Sequence, residues 1–328
     1  MNHQKLRVAI LDDFEMIAAT VPAYEKVKEH ADVTIFGKRL ESSDAIVAAL
    51  RDFDALLLMR ERTFFGDKEY SQLPNLKFIS QTGRTTKHLD LANATRHGIA
   101  VAGTSSDSGA PTKELTIGLI LALLRKIPQI NRRMREERWP AITGQILEGK
   151  TVGVLGFGRI GKEVARVMKV LNTRVLAYSR TLTAAAAAEV GAECVALETL
   201  LQESDIITVH IPLNANTRGS IGEKELAMMK PGALLVNTAR GPIVSETAMI
   251  RALESGQLGG VGLDVYDTEP LPMEHPLRRF DNAILMSHRG YATVEILRQR
   301  YQQALENIHS FIDGKPLRLL NPEVKTGK

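Results

Sequence analysis

The chain has 328 residues, of which 44% are hydrophobic and 24% are charged, and its formal net charge is +4. This composition is typical of a globular protein, and the length predicts two domains because one domain usually takes about 150 residues. The weak net charge, without a long block of lysine or arginine, argues against nucleic acid as a partner. A single cysteine, Cys194, excludes a disulfide framework and favours a reducing, cytoplasmic location.

Neither a membrane segment nor a metal site is predicted. The first thirteen residues resemble a strand that ends in two acids, and not a signal peptide. The longest apolar run, residues 115–124, is too short to span a bilayer. The eight histidines are scattered, and no spacing of histidine and cysteine matches a zinc motif.

Short β-rich runs alternate with helical segments over the first hundred residues. Such alternation favours a parallel sheet with crossover helices. The predicted strands are residues 6–11, 33–36, 55–59, 78–81 and 100–102. The predicted helices lie around residues 24–30, 44–50 and 89–96.

A long helical stretch follows, from Pro111 to about Glu137. Proline suits the first position of a helix, where its missing N–H has no helical acceptor to lose. Pro128 is expected to break or kink the stretch, which predicts two helices. The first part is either a core helix or a hinge and subunit-contact helix, and the sequence leaves both open.

A second alternating block begins at residue 151. Its predicted strands are residues 151–155, 174–178, 206–210, 234–237, 261–264 and 284–286. The alanine-rich residues 184–188 are predicted to be helical, and a last helix is predicted at residues 294–312. The two blocks together predict an α/β protein.

A glycine-rich turn, residues 156–161 with the sequence G-F-G-R-I-G, lies between a strand pattern and a helical pattern. Gly156 permits the tight turn, Gly158 lets the backbone approach a pyrophosphate, and Gly161 lets helix and strand pack closely. Arg159 and Ile160 lie at the start of the helix, whose N-terminal N–H groups bind anions. The turn therefore predicts binding of NAD(H) or NADP(H).

Ser179 and Arg180 follow the second strand of this block. An NAD-preferring site usually has an acid at this place for the ribose 2′-hydroxyl. Here no carboxylate would repel a 2′-phosphate, and an arginine is present that could pair with it. The sequence thus favours NADP(H), although a surface arginine and NAD use is the alternative.

Three further motifs and one histidine point to one family. Residues 204–217 read S-D-I-I-T-V-H-I-P-L-N-A-N-T, residues 228–241 read M-M-K-P-G-A-L-L-V-N-T-A-R-G, and residues 262–270 read G-L-D-V-Y-D-T-E-P. His288 follows nineteen residues after the glutamate of the third motif. Over nearly its whole length the chain resembles the D-isomer-specific 2-hydroxyacid dehydrogenases, the group of glycerate, phosphoglycerate, glyoxylate and hydroxypyruvate reductases.

This resemblance implies two Rossmann-like, doubly wound parallel-sheet domains. The NAD(P)-binding domain would be residues 104–291, inserted into a flavodoxin-like substrate-binding domain of residues 1–103 and 292–328. The active site would lie in the cleft between the domains of a homodimer. The reaction would transfer a hydride between NAD(P)(H) and a small 2-keto or D-2-hydroxy acid.

The catalytic residues of the family match three positions of this chain. Arg240, in N-T-A-R-G, would grip the substrate carboxylate and carbonyl oxygen, since a guanidinium fork suits a planar carboxylate. His288 would protonate the carbonyl oxygen as the hydride arrives. Imidazole suits this role because the ordinary pKa of the imidazole group lies near the working pH. Glu269, in D-T-E-P, would orient the ring and favour the imidazolium form.

The resemblance also implies contacts with the cofactor. Asp264 would hold the nicotinamide carboxamide, and the backbone at Thr238 and Ala239 would lie near the ring. The wall of the adenine and ribose site would be formed by His210, Pro212 and Thr217. For the histidine and the threonine, an ordinary polar role in a loop is the alternative.

On the substrate side, the family uses N–H groups of a glycine-containing loop after a strand. The corresponding segment, residues 81–86, reads Q-T-G-R-T-T and retains Gly83, but Arg84 and Thr85 stand where small residues are usual. Arg60 and Arg62 resemble an arginine pair that meets the substrate phosphate in some phosphoglycerate dehydrogenases. The alternative is two charges at a strand end.

Two features leave the substrate open. Residues 286–290 read M-S-H-R-G, where the family commonly has a proline before the histidine and an apolar residue after it. Phosphite dehydrogenases share the scaffold and also carry a cation in the substrate loop, in the region that matches Arg84. Formate dehydrogenases carry glutamine in place of Glu269, which counts against them. A dinucleotide-sensing corepressor is the non-enzymatic alternative.

Overall fold

The computed structural model describes residues 5–105, 109–136 and 139–324. The chain divides into two compact units. The first unit consists of Met1–Ser108 and Thr293–Lys328, and the second unit is Gly109–Ala292. Within the described ranges, no helix combines the length and the apolar character that a membrane span requires.

The first unit contains a five-stranded parallel sheet. Its strands are β1 (Leu6–Ile10), β2 (Ala31–Ile35), β3 (Ala55–Leu58), β4 (Phe78–Gln81) and β5 (Ala100–Ala102). The strand order is β2-β1-β3-β4-β5, which is the flavodoxin-like order. Every residue of β3, β4 and β5 is buried, because a parallel sheet covered on both faces requires continuous apolar strands.

Four helices connect these strands. They are α1 (Pro22–His30), α2 (Ser43–Leu50), α3 (Asp67–Gln72) and α4 (Leu91–Arg96). The predicted helix at residues 89–96 begins two residues later, because the Asp90 side chain accepts the N–H of Asn93 at 3.0 Å and thus caps the helix. The short helix α3 was not predicted from the sequence.

The second unit contains a seven-stranded parallel sheet. Its strands are β6 (Thr151–Leu155), β7 (Arg174–Tyr178), β8 (Glu193–Cys194), β9 (Ile206–Val209), β10 (Ala233–Asn237), β11 (Leu258–Leu263) and β12 (Ala283–Leu285). The order is β12-β11-β10-β9-β6-β7-β8. The strand order reverses between β6 and β9, and ligands of such sheets bind at the carboxyl ends of the strands near this point.

The described part of the second unit contains seven α-helices. They are α5 (Ala110–Leu124), α6 (Ile127–Glu136), α7 (Arg159–Val170), α8 (Ala184–Ala188), α9 (Leu197–Glu203), α10 (Glu223–Met228) and α11 (Glu246–Glu254). One apolar cluster joins α5 and α7 to the sheet, and another joins α9, α10 and α11 to it. Helices therefore cover both faces, and the prediction of two doubly wound parallel sheets is confirmed.

The predicted break in the long helical stretch is also confirmed. The chain leaves α5 at Arg125 and passes through Lys126, whose φ is +54°, before α6 begins at Ile127. Pro128 lies in the first turn of α6, where its missing N–H removes no helical hydrogen bond. Glu137, the predicted end of the stretch, lies outside the described residues.

The last helix, α12 (Val294–Ile312), returns the chain to the first unit and has the predicted bounds. Its Tyr301 and Leu305 are fully buried, and the ring of Phe311 stacks on Phe78 of β4 with the centroids 4.5 Å apart. The hydroxyl of Ser80 donates to the carbonyl of Ala304 at 2.9 Å. These contacts complete the core of the first unit.

Candidate active site

The glycine-rich turn lies between β6 and α7, at the point where the strand order of the second sheet reverses. Gly156 has φ +99°, and a Cβ there would lie 2.6 Å from the carbonyl carbon of His210. A Cβ on Gly161 would lie 2.0 Å from the carbonyl oxygen of Gly156. Both positions therefore require glycine, one for its backbone conformation and one for the close approach of helix and strand.

The remaining part of the turn fits a pyrophosphate. A Cβ on Gly158 would meet no atom within 4 Å, so the backbone is open on that side. Arg159 and Ile160 form the first turn of the twelve-residue helix α7. The first N–H groups of a helix have no acceptor inside it and carry the positive end of its dipole. An anion can approach the backbone here, as the sequence predicts.

Ser179 and Arg180 lie on the neighbouring strand end. The N–H of Gly156 donates to the carbonyl of Tyr178 at 2.8 Å, which joins the glycine turn to the end of β7. The carbonyl of Ser179 then accepts the N–H of Leu182 at 3.0 Å, and Arg180 is exposed in this turn. The two residues thus follow the strand that is paired with the pyrophosphate-binding strand.

His210 follows β9 and lies beside the same turn. Its N–H donates to the carbonyl of Leu155 at 2.7 Å. Burial lowers the pKa of its ring to about 4, so the ring is neutral at neutral pH. No described residue is hydrogen-bonded to its buried Nε2. In the loop that follows, the hydroxyl of Thr217 donates to the carbonyl of Pro212 at 2.6 Å and closes the loop.

Arg240 follows β10 and is held by a residue that sequence reasoning missed. The amide of Asn237 donates to the carbonyl of Arg240 at 2.9 Å and accepts the N–H of Ala239 at 3.0 Å. The hydroxyl of Thr238 is hydrogen-bonded to that of Thr116 at 2.9 Å. The asparagine stands within the N-T-A-R-G motif, and its burial at 1% exposure is the signal of a structural role.

His288 and Glu269 form a direct pair. Nδ1 of His288 lies 2.6 Å from Oε2 of Glu269, although nineteen residues separate them. The second carboxylate oxygen accepts the N–H of Tyr266 at 3.0 Å. His288 has φ +56°, a conformation that is uncommon outside glycine and recurs at functional sites. Since Nδ1 contacts the glutamate, Nε2 is the ring nitrogen that can exchange a proton with another molecule.

The charge of this pair follows from its surroundings. Burial raises the pKa of the Glu269 carboxyl, but the hydrogen bond and charge of His288, the N–H of Tyr266 and the charge of Arg240 outweigh it, so the pKa lies below its ordinary value. The carboxylate is therefore ionised at neutral pH. An ionised carboxylate beside an imidazole favours the imidazolium form, which can donate a proton.

Asp264 holds the turn on the other side of His288. Its carboxylate accepts the N–H of Arg289 at 2.6 Å and the N–H of Gly290 at 2.7 Å. A Cβ on Gly290 would lie 2.8 Å from the same carboxylate, so the turn requires glycine. Burial raises the pKa of Asp264, and the two N–H groups oppose this rise. Asp264 thus has a structural role in this turn. Its contact with the nicotinamide carboxamide remains a prediction.

In the first unit, the candidate substrate loop follows β4. The N–H of Gly83 donates to the hydroxyl of Thr104 at 2.7 Å, whereas Arg84 and Thr85 are exposed. The guanidinium of Arg60 lies over Gly83, with Nη1 3.8 Å from the position that a Cβ would take. The structure therefore brings Arg60 to this loop, in which Arg84 and Thr85 are exposed residues.

Arg62 faces a different loop. Its Nη1 donates to the carbonyl of Asp12 at 2.6 Å, and its Nη2 lies 3.5 Å from Oε1 of Glu15. Its guanidinium also lies 4.5 Å from the ring centre of Phe14. These contacts attach Arg62 to the loop after β1. The arginine pair of the resemblance thus has two different surroundings, one at Gly83 and one at Asp12.

Among the residues that the structure describes, no group of three or more histidine, cysteine, aspartate or glutamate side chains could hold a metal ion. The polar groups that converge at the ends of β10, β11 and β12 are an arginine, a histidine and two carboxylates. This set suits proton transfer to a polarised carbonyl.

Comparisons with known proteins show the family of this chain. The family model described as D-isomer specific 2-hydroxyacid dehydrogenase, NAD binding domain, matches residues 117–290. The glyoxylate reductase of Aeropyrum pernix is 37% identical over 313 residues, which cover 92% of this chain and 93% of the reductase. The D-3-phosphoglycerate dehydrogenase of Archaeoglobus fulgidus is 35% identical over 279 residues, which cover 84% of this chain and 53% of that protein.

A solved structure shows the same fold. The phosphoglycerate oxidoreductase of Vibrio cholerae O395 superimposes with a TM-score of 0.88 at 30% identity, over 94% of this chain and 99% of that one. The comparisons give no support for a phosphite dehydrogenase or a corepressor. The protein is an enzyme with an NAD-type cofactor that transfers a hydride between this cofactor and a 2-keto or 2-hydroxy acid, as predicted. The chain belongs to the family of D-isomer-specific 2-hydroxyacid dehydrogenases.

Proposed function

We propose that the protein reduces a small, unphosphorylated 2-keto acid of the glyoxylate type, with NADPH as the preferred cofactor. The observation that carries this proposal is the His288–Glu269 pair, with 2.6 Å between Nδ1 and Oε2, at the carboxyl edge of the sheet that bears the glycine turn. Proton donation to a carbonyl oxygen is the chemistry that such a pair supplies. The glyoxylate reductase of Aeropyrum pernix supports the choice of substrate class.

Arg240, Glu269 and His288 are the proposed catalytic residues. The guanidinium of Arg240 holds the substrate carboxylate and polarises the neighbouring carbonyl. Nε2 of His288 donates its proton to the carbonyl oxygen, and the ionised Glu269 stabilises the imidazolium before the transfer. When bound, the dihydronicotinamide supplies the hydride that reaches the carbonyl carbon. In oxidation, His288 takes the proton back from the hydroxyl group.

The cofactor would be held by the glycine turn and by the ends of four strands. The open backbone at Gly158 and the N-terminus of α7 receive the pyrophosphate. The proposed wall of the adenine and ribose site is His210, Pro212 and Thr217, and the nicotinamide would lie near Thr238, Ala239 and Asp264. The buried, unsatisfied Nε2 of His210 supports a polar ligand beside it.

The proposed preference for NADPH depends on Ser179 and Arg180. Arg180 is exposed, and no acidic residue of the described chain forms an ion pair with it. A 2′-phosphate on the adenine ribose would find a cation here in place of the usual acid. A charge-assisted contact of this kind is worth about 1.5–3 kcal/mol.

The surroundings of the two arginines favour a substrate without a phosphate. Arg62 donates to the backbone of Asp12 and pairs with Glu15, so its charge is engaged within the first unit. The proposed contacts with the substrate carboxylate are the N–H groups of Arg84 and Thr85, with Arg60 above Gly83. That these groups and His288 serve one shared site stays a prediction.

We also propose a homodimer formed through α6 and its neighbourhood. Large apolar side chains are exposed here at Ile127, Met134, Trp139, Ile146 and Val170. We infer that these side chains form one apolar surface, which is typical of a protein interface. Sedimentation should show a dimer for the wild type and a monomer for Met134→Glu, and a wild-type monomer would contradict the proposal. A cytoplasmic location stays a prediction.

A reductase screen tests the proposed function. Glyoxylate, hydroxypyruvate, pyruvate and phosphohydroxypyruvate are each reduced with NADH and with NADPH, and phosphite is tested in the oxidative direction. We expect glyoxylate or hydroxypyruvate with NADPH to show the highest kcat/KM. A preference for phosphohydroxypyruvate would assign Arg60 and Arg62 to a phosphate, and turnover of phosphite alone would refute the proposed reaction.

A further inference from the structure

Tyr266 connects the three segments that carry the proposed catalytic residues. Its backbone N–H donates to Oε1 of Glu269 at 3.0 Å. Its hydroxyl donates to the carbonyl of Met286, two residues before His288, at 2.7 Å. Its backbone also packs against Gly241, the residue after Arg240, where a Cβ would lie 2.1 Å from the carbonyl carbon of Tyr266. One residue thus contacts all three segments.

The hydroxyl of Tyr266 is a fixed donor. The side chain is 6% exposed, and the hydroxyl lies 3.3 Å from the carbonyl of Leu263, at the end of β11, as well as 2.7 Å from that of Met286. Burial, together with the charges of Asp264 and Glu269, raises the pKa of this phenol above its ordinary value, and Arg278 opposes the rise. The group therefore stays protonated and donates over the whole working range of pH.

The turn at His288 needs anchors on both sides. A φ of +56° is unfavourable for a histidine and persists only where the surroundings hold it. On the following side, Asp264 accepts the N–H groups of Arg289 and Gly290. On the preceding side, the Tyr266 hydroxyl holds the carbonyl of Met286.

We propose that Tyr266 is a positioning residue for proton transfer, which keeps the His288 ring and the Glu269 carboxylate in contact. The inference rests on the proposed role of His288 as the proton donor. The hydroxyl acts on the histidine through Met286, and the N–H acts on the carboxylate directly. Without the hydroxyl, the carbonyl of Met286 loses this donor, while the N–H of Met286 stays bonded to the carbonyl of Leu263 at 2.8 Å. The turn is then held less firmly on this side, so the ring moves more freely relative to Glu269.

The charged groups that face the His288 ring are Glu269, Asp264 and Arg240. The two carboxylates stabilise a positive charge on this ring, and the arginine opposes it. A longer distance between Nδ1 and Oε2 weakens the nearest of these interactions. We therefore expect the hydrogen bond between His288 and Glu269 to weaken when the Tyr266 hydroxyl is lost.

The experiment compares Tyr266→Phe with the wild type. Phenylalanine retains the packing of the ring and the backbone N–H, and removes only the hydroxyl. The matched control is Tyr70→Phe, since Tyr70 is also buried, at 2% exposure, and its hydroxyl has no hydrogen-bond partner among the described residues. Two readouts are used: kcat for keto acid reduction against pH, and the NMR resonance of the proton between Nδ1 of His288 and Oε2 of Glu269, assigned with His288→Gln.

For Tyr266→Phe we expect kcat to fall about five- to tenfold, with the cofactor Kd unchanged. We also expect the resonance of the proton between His288 and Glu269 to shift upfield or to broaden, because the hydrogen bond is weaker. The control should change neither. A folded Tyr266→Phe protein whose kcat and proton resonance equal those of the wild type would overturn the proposal. If the wild type reduces no keto acid, the proposed function fails, and the NMR spectrum still decides the role of Tyr266.

Discussion

The two sheets hold their charged side chains differently at the carboxyl ends of their strands. In the second unit, Glu269 pairs with one nitrogen of His288, and the other nitrogen can exchange a proton with a ligand. In the first unit, the guanidinium of Arg62 donates to the carbonyl of Asp12 and forms an ion pair with Glu15. Both edges carry charges, but the pair in the second unit is the proposed proton donor with its carboxylate, and the contacts of Arg62 stabilise a loop.

This difference shows that position at a strand end does not by itself make a charged residue a ligand. The contacts that a side chain already has within its own unit decide what remains for a substrate. The two arginines of the first unit have different partners: Arg60 lies over Gly83 and pairs with Glu61 at 3.6 Å, whereas Arg62 donates to the loop after β1. Substitutions at the two edges should therefore have different effects.

The largest effect is expected from His288→Gln. Loss of the proposed general acid should lower kcat about 10²–10⁴-fold, with little change in the affinity for the cofactor. Steady-state kinetics and a fluorescence titration with NADPH measure the two quantities.

The matched control is His275→Gln. His275 also pairs with a glutamate, Glu246, at 2.9 Å, but it lies outside the proposed site. It should retain kcat within about a factor of three of the wild type. Near-normal turnover in His288→Gln would show that His288 is not the general acid, and the two sheet edges would then not differ in this respect.

Glu269→Gln should have the next largest effect, because it removes the charge and retains the shape. Loss of a charge-assisted hydrogen bond, about 1.5–3 kcal/mol, corresponds to a decrease in kcat of about 10–100-fold. The wild-type carboxylate is ionised at neutral pH because its pKa is lowered, so the substitution removes a negative charge that stabilises the imidazolium. The basic limb of keto acid reduction should move to lower pH. A limb that stays in place would show that another group titrates.

Arg62→Ala tests the first unit. The variant loses the hydrogen bond to Asp12, the pair with Glu15 and the contact with Phe14, so the free energy of unfolding should fall by about 1–3 kcal/mol. Urea unfolding measures this change, and KM for glyoxylate should stay within about twofold. For the counterpart Arg60→Ala we expect the opposite: a higher KM for glyoxylate and only a small change in the free energy of unfolding. The reverse pattern would place Arg62 at the substrate.

The smallest effect is expected at the second strand of the second sheet. Arg180→Gln should lower kcat/KM for NADPH about tenfold and change that for NADH by less than about twofold. Arg166→Gln is the control, since Arg166 is exposed on α7 and pairs with Glu163 on the same helix. A wild-type preference for NADH would show that Arg180 is only a surface charge.

Much of the fold follows from local patterns in the chain. The strand bounds of β4, β5, β6 and β7 and the whole of α12 agree with the alternation and the helical spacing of apolar residues. The sequence analysis did not predict the strand β8 or the helices α3, α9, α10 and α11. Except for the nine-residue α11, these elements have two to seven residues, and packing against the sheet holds such short elements more than their own sequence does. Propensity is a weak guide for such elements.

For the site, the chain by itself determined the residue types: the glycines of the turn, and Arg240, Glu269 and His288 in motifs of known spacing. Only the tertiary structure decided which partners each residue has. In this structure Nδ1 of His288 lies 2.6 Å from Glu269, and Asp264 accepts the N–H of Arg289 in the turn that follows. Arg62 donates to the carbonyl of Asp12. The reason is physical: a hydrogen bond depends on distance and direction between residues far apart in the chain, which local spacing does not encode.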